Sequence, residues 1–333
     1  MRVWCPILFY SVLLLGCMDD APRDNPLDPL SPKYTGEGSL TGRVVIANQT
    51  TGIEGAIIFH FESGTFVMTD SLGYFEFTKL SRGIHHFACT KQNFTGDTFQ
   101  VQLQSGEPVN IVRGLNGAPV VLSQTILTRK IDQYFPSPQY FVDVVADVID
   151  PNGNGDVASV WFGFDTLRFL MTYDNETRLY SAKIFKYQLP TNTIQRLVGK
   201  SLFIISEDIT GALNISDPFL VSRVIEETAT LDSPTSFKND SVKADSLVFK
   251  WFPPDVTFNF TYTVSLWRVD GGIKTFVWSR SGLSVSNESW EYFADPTAVP
   301  LDVSAANYLW AVSIVDEFGN YAQSKESSFV VVP

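Results

Sequence analysis

Apolar residues along this chain fall into short runs broken by glycine, asparagine, aspartate and serine. In the first third the runs are 40–46, 56–61, 66–69, 74–77, 85–90, 99–103 and 109–112, with turn residues at 48–52 and 71–73. Short segments at this spacing predict a β-sandwich. Farther on the pattern becomes strict alternation. Val142, Val144, Ala146 and Val148 alternate with Asp143 and Asp147, and Val160, Phe162 and Phe164 start the next strand. Residues 202–206 read as a buried strand and 219–225 as the last of that group. In the final third, Leu247, Phe249 and Trp251 share a face, as do Tyr262, Val264 and Leu266, and then Tyr308, Trp310, Val312 and Ile314. A period of two is the mark of strands with one buried face. The chain therefore reads as all-β, with three tandem β-sandwich domains at 38–117, 118–228 and 229–333.

One turn type recurs. Asp70-Ser71-Leu72-Gly73, Asp208-Ile209-Thr210-Gly211 and Asp316-Glu317-Phe318-Gly319 each lie between apolar strands. Aspartate at the first turn position accepts backbone N–H bonds, and glycine at the fourth tolerates positive φ. These are expected as hairpin corners rather than as catalytic acids.

The N-terminus follows different rules. Arg2 precedes a ten-residue apolar run from Ile7 to Gly16. A membrane-spanning helix needs about 20 residues, so residues 1–16 read as a signal peptide. Residues 17–37 contain four prolines and almost no periodicity, which predicts a semi-rigid tether. Composition adds two constraints. Phe contributes 26 residues and aromatics 14%, in keeping with pleated, half-buried surfaces. The 24 basic against 36 acidic residues give a net charge of −12, which disfavours nucleic-acid partners.

Leu14-Leu15-Gly16-Cys17 resembles the lipobox of bacterial lipoproteins. The resemblance implies that Cys17 carries a diacylglyceryl thioether and an acylated amine, and Met18 rather than Asp directly after the cysteine points to the bacterial outer membrane. Two or more acyl chains hold stably, at about 0.8 kcal/mol per buried CH₂. Gly42-Arg43-Val44-Val45, Gly55-Ala56, residues 69–75 and Leu80-Ser81-Arg82-Gly83-Ile84 together resemble the carboxypeptidase regulatory-like domain. That implies a transthyretin-like sandwich of structural or interaction type, with no peptidase residues. The second unit resembles bacterial immunoglobulin-like repeats. Trp251-Phe252-Pro253-Pro254 and Tyr308 resemble the fibronectin type III domain, which implies that the Tyr308 phenol bonds back to backbone.

Signs of catalysis are few. The chain has no His-Glu-x-x-His, Gly-x-Ser-x-Gly, Cys-x-x-Cys or phosphate loop. His85 and His86 should face opposite sides of one strand, and His60 should lie on a strand surface. Cys89 reads as a small core residue. The best metal candidate is Asp150-Pro151-Asn152-Gly153-Asn154-Gly155-Asp156, where Asp150, Asn152, Asn154 and Asp156 offer oxygens to calcium. The same residues also suit a plain β-turn, and Trp161 stands where an EF-hand loop needs a bidentate acid.

Five tryptophans fall in the third unit. Trp251 and Trp310 read as core, whereas Trp267 and Trp278 are expected side by side on an outer face. From these readings the chain is expected to be a lipid-anchored, non-catalytic adhesion or scaffold module of the cell envelope that contacts a protein or glycan. The alternative is a glycan-binding accessory protein using Trp267 and Trp278, since exposed aromatics stack on sugar rings.

Overall fold

A computed structural model describes Ser31 and residues 37–104, 108–133, 137–235, 241–303 and 307–333. The expected signal peptide, Cys17 and nearly all of the tether lie outside the described residues. The chain divides into two compact units, Met1–Leu115 and Asn116–Pro333. Strands and short 3-10 turns make up the regular structure of the described residues. Among them no helix is long and apolar enough to cross a membrane. The all-β sandwich architecture expected from the alternation is what is present.

In the first unit the strands are β1 (Gly38–Ile46), β2 (Ile57–His60), β3 (Thr65–Met68), β4 (Tyr74–Leu80), β5 (Gly83–Thr90), β6 (Asp97–Leu103) and β7 (Pro108–Leu115). They form two sheets, ordered β4-β1-β7 and β3-β2-β5-β6. β1 pairs with β4 antiparallel and with β7 parallel. The core contains Leu40, Val44, Ile58, Phe75, Phe77, Phe87, Cys89 and Leu103. Inward and outward side chains alternate, most regularly in β1, β5 and β6.

In the second unit the strands begin with β8 (Val120–Ile131), β9 (Gln139–Ile149), β10 (Val157–Phe164), β11 (Leu167–Leu170), β12 (Thr172–Asp174), β13 (Leu179–Phe185), β14 (Leu202–Asp208) and β15 (Leu213–Ile215). They continue with β16 (Thr230–Ser233), β17 (Ser241–Lys243), β18 (Val248–Phe252), β19 (Phe260–Asp270), β20 (Ile273–Leu283) and β21 (Ser289–Glu291). The last are β22 (Asn307–Asp316), β23 (Tyr321–Gln323) and β24 (Ser327–Val332). A ten-stranded sheet runs β12-β13-β9-β8-β23-β22-β19-β20, with β24 on β22 and β17 on β24. Smaller sheets, β11-β10-β14-β15 and β16-β18-β21, complete the unit.

Two cores lie in this unit. Val142, Val144, Ala146, Val148, Phe162 and Phe164 belong to one. Phe249, Trp251, Tyr262, Trp278, Tyr308 and Trp310 belong to the other. The strand faces read from the sequence therefore hold in both. The Tyr308 hydroxyl accepts the Asp302 N–H at 2.8 Å, the backbone bond that the fibronectin resemblance implied.

The two cores are joined through the main sheet. Short strand β23 lies parallel to the end of β8, with Tyr321 opposite Arg129 and Gln323 opposite Ile131. Beside it Asn320, 2% exposed, links several segments. Its Oδ1 accepts the Thr128 N–H at 2.9 Å. Its Nδ2 donates to Ser222 Oγ at 2.9 Å and to Asp316 Oδ2 at 3.0 Å. Arg223 reaches Asp316 and Glu317 at 3.4 and 3.2 Å. A buried amide with all its groups paired specifies one arrangement of its partners.

The three recurrent turns share one geometry. Asp70 Oδ1 accepts N–H groups of Leu72 and Tyr74, Asp208 Oδ1 those of Thr210 and Ala212, and Asp316 Oδ1 those of Phe318 and Asn320. Gly73, Gly211 and Gly319 have φ of +85°, +88° and +88°, where a side chain would be strained.

Candidate metal centre

Three segments of the second unit meet at one end of its first core. They are the entering residues Asn116 and Gly117, the loop from β9 to β10, and the turn after β14. Antiparallel pairing sets Val157 of β10 opposite Asp208 of β14, so the starts and ends of these strands lie together. Gly117 donates its N–H to Asn152 Oδ1 at 2.8 Å. A Cβ at Gly117 would come within 2.6 Å of the Pro151 ring, so this approach requires glycine.

Here the carboxylates of Asp150, Asp156 and Asp208 offer ligand atoms within 4.8 Å of one another. Asp150 is 5% exposed and Asp208 is 2% exposed. Asp208 is well supplied with donors: Oδ1 accepts from Thr210 and Ala212, and Oδ2 accepts from Asn116 Nδ2 at 2.5 Å. Burial alone would raise its carboxyl, but these bonds hold it below the usual carboxylate range.

Asp150 is less well served. Its Oδ1 accepts the Asn152 N–H at 2.7 Å, while its Oδ2 is buried with no hydrogen-bond partner. Burial pushes the Asp150 carboxyl upward, the Asn152 bond opposes this, and the charges of Asp156 and Asp208 push it further up. Converging oxygens with an unpartnered atom match the needs of a hard cation such as calcium.

Two of the four expected calcium ligands, Asp150 and Asp156, belong to this set. The other two are amides with other surroundings. Asn152 turns its carbonyl oxygen to Gly117, and Asn154 is exposed. Residues Asn154–Asp156 form a 3-10 turn, so the every-second-residue alternation assumed for an extended loop is lost. The third gathered acid, Asp208, comes from a turn expected only as a hairpin corner. It serves as both, and only the β10–β14 pairing reveals it.

The expected tryptophan pair is not formed. Trp278 is 3% exposed, stacks with Phe249 at 6.2 Å, and donates its indole N–H to Thr297 Oγ1 at 3.0 Å. A β-bulge causes this: Leu266 pairs with Trp278 but Trp267 pairs with Phe276. The extra residue turns the alternation of β20 over, so Trp278 faces the core. Trp267 is half-buried, with the Lys274 ammonium 3.8 Å above its ring. Lys274 also pairs with Glu326.

A second cluster lies in the first unit, where His60 is buried at 2% exposure rather than on the surface. Ile57, Ile58, Phe59 and Phe61 around it are all apolar, so hydropathy could not pick the inward face. His60, His85 and Glu62 offer ligand atoms within 4.8 Å of one another. Burial lowers the His60 pKa and the neighbouring His85 adds to this, against a smaller upward pull from Glu62. The His86 side chain holds the Glu62 carboxyl down at about 2. His85 and His86 do face opposite sides, at 4% and 57% exposure. Cys89 lies in the core as expected, fully buried.

No family model matches the chain. No curated protein matches it either. Among solved structures, the major pilin subunit BcpA of Bacillus cereus aligns at 13% identity over 88% of this chain and 95% of its own, with a TM-score of 0.30. Fibronectin(III)-like modules of Clostridium thermocellum CbhA align at 17% identity over 64% of this chain and 93% of theirs, TM-score 0.30. A DUF3823 family protein from Bacteroides ovatus aligns at 10% identity over 55% and 97%, TM-score 0.25. Likenesses at this level say nothing about what this chain binds.

Proposed function

We propose that this chain is a non-catalytic display or scaffold module of a bacterial cell envelope. A lipid on Cys17 fastens one end to the outer membrane, a proline-rich stem gives reach, and the sandwiches carry a contact surface for a protein partner. The observation that supports this reading is the unbroken ten-stranded sheet shared by both cores of the second unit. Hydrogen-bonded strands and the Asn320 contacts resist separation of the two cores in a way that a flexible linker would not. Calcium at Asp150, Asp156 and Asp208 would tie the entering segment to the strand ends. A glycan platform at Trp267 and Trp278 loses its basis, because Trp278 presents no face to solvent.

Pulling single molecules of the whole chain tests the mechanical reading. The second unit is expected to give way in one step; two separate steps of about a hundred residues each would overturn it. Fractionation of cells making Cys17→Ser tests the anchor, with movement from membrane to soluble fraction expected.

A further inference from the structure

Three side chains of the first unit, unused by the function above, converge where the end of β2 meets the start of β5. His60 closes β2 opposite Phe87, and His85 is the diagonal neighbour of His60 on the same inward face. The His60 ring stacks on Phe87 at 4.8 Å and meets the edge of Phe77 at 5.9 Å. These apolar walls fix its orientation. Glu62 sits on the turn after β2, 37% exposed, and reaches back to the same point.

Two hydrogen bonds settle the chemistry of the rings. The Ser81 carbonyl can only accept, so His85 Nε2, 2.8 Å away, carries a hydrogen. With its Nε2 hydrogen donated there, His85 presents Nδ1 to His60 Nε2 at 2.8 Å. Glu62 Oε2 lies 3.0 Å from the same His60 nitrogen. One hydrogen on His60 Nε2 is thus shared by two acceptors.

We infer that a divalent transition-metal ion of the zinc class takes the place of this shared proton, held by His60 Nε2, His85 Nδ1 and the Glu62 carboxylate. The protons balance within the protein. The His60 proton moves to Nδ1, 2.6 Å from Ser63 Oγ. Ser63 then accepts it and turns its own hydrogen to Thr65 Oγ1, also at 2.6 Å.

Every ligand also has an outer partner. Ser81 O orients His85, Ser63 orients His60, and the His86 backbone N–H and Nδ1 hold Glu62 at 3.0 and 2.7 Å. Such outer contacts fix ring orientation in zinc sites. Two imidazoles and one carboxylate select zinc-like ions over calcium. Zinc–ligand bonds of about 2.0–2.1 Å require ligand separations of roughly 3.3 Å in a tetrahedron. The 2.8 Å and 3.0 Å approaches to His60 Nε2 must therefore widen by about 0.3–0.5 Å, so the rings at the paired ends of β2 and β5 shift apart along with the Glu62 turn. The bound ion would staple the β2–β3 turn to β5.

The test uses the whole chain with Cys17→Ser, made without its first sixteen residues and stripped with chelator. Zinc chloride alone is titrated calorimetrically, and cobalt(II) serves as a spectroscopic probe. One zinc per chain and the intense visible bands of four-coordinate cobalt are expected. Glu62→Gln, on an exposed turn, should keep the fold and weaken zinc binding at least about tenfold, and His86→Ala should weaken it about 10- to 100-fold. Asp208→Asn should leave zinc affinity unchanged. Equal zinc affinity in wild type and Glu62→Gln, or a six-coordinate cobalt spectrum, or loss of zinc binding in Asp208→Asn, would overturn the assignment.

Discussion

Each unit brings three ligand-grade side chains together, but on opposite electrostatic terms. In the first, two buried imidazoles and an exposed carboxylate satisfy one another through a chain of hydrogen bonds from Ser81 to Thr65. In the second, three carboxylates crowd together and leave Asp150 Oδ2 unpartnered. Gathering donors and needing a cation are therefore separate properties. The histidine cluster is at rest without an ion, because its ring nitrogens already have hydrogen-bond partners. The acidic cluster carries a repulsion that a cation relieves.

The largest expected effect tests whether packing holds the histidines. Phe87→Ala removes the ring stacked on His60 and should cost the first unit about 3–5 kcal/mol in denaturant unfolding. A loss under about 1 kcal/mol would show that the rings are positioned by hydrogen bonds alone.

Calcium should act on the other region. At one hundred times its Kd it should stabilise the second unit by about 2.7 kcal/mol, roughly 5–10 °C in calorimetry for a unit of this length. Asp208→Asn should abolish that gain. Smaller again, Asp150→Asn in chelator should raise the melting temperature by about 2–4 °C, because it removes one of three crowded charges. A fall instead would mean the acids already satisfy one another, as the histidines do.

The smallest effect concerns Cys89. Burial, with Asp97 adding to it, pushes its thiol up to about 11. Near pH 8 it should resist thiol reagents until the first unit unfolds, and Phe87→Ala should hasten the reaction. Rapid labelling of the native wild type would contradict a closed core.

Most of the fold was legible because alternation is a local signal. Val142 through Val148, Trp251 and Trp310 occupy the faces their spacing predicts. The misses share a cause that is not local. Trp278 was misplaced by one bulge residue, which no hydropathy pattern records. Asp208 and His85 gained their neighbours through β10–β14 and β2–β5, pairings between strands far apart in the chain. His60 was hidden by apolar residues on both faces of its strand. Asp208 is the hairpin corner its turn chemistry predicts, and the same carboxylate also lies within 4.8 Å of Asp150 and Asp156.

The seam between β23 and β8 also governs the order of events during synthesis. Residues 129–131 pair with β9 on one side, but their other edge stays open until residues 321–323 have left the ribosome. For that interval the edge of β8 offers open backbone groups to any passing strand. A version truncated before Tyr321 should clump even though all the strands of its first core are present.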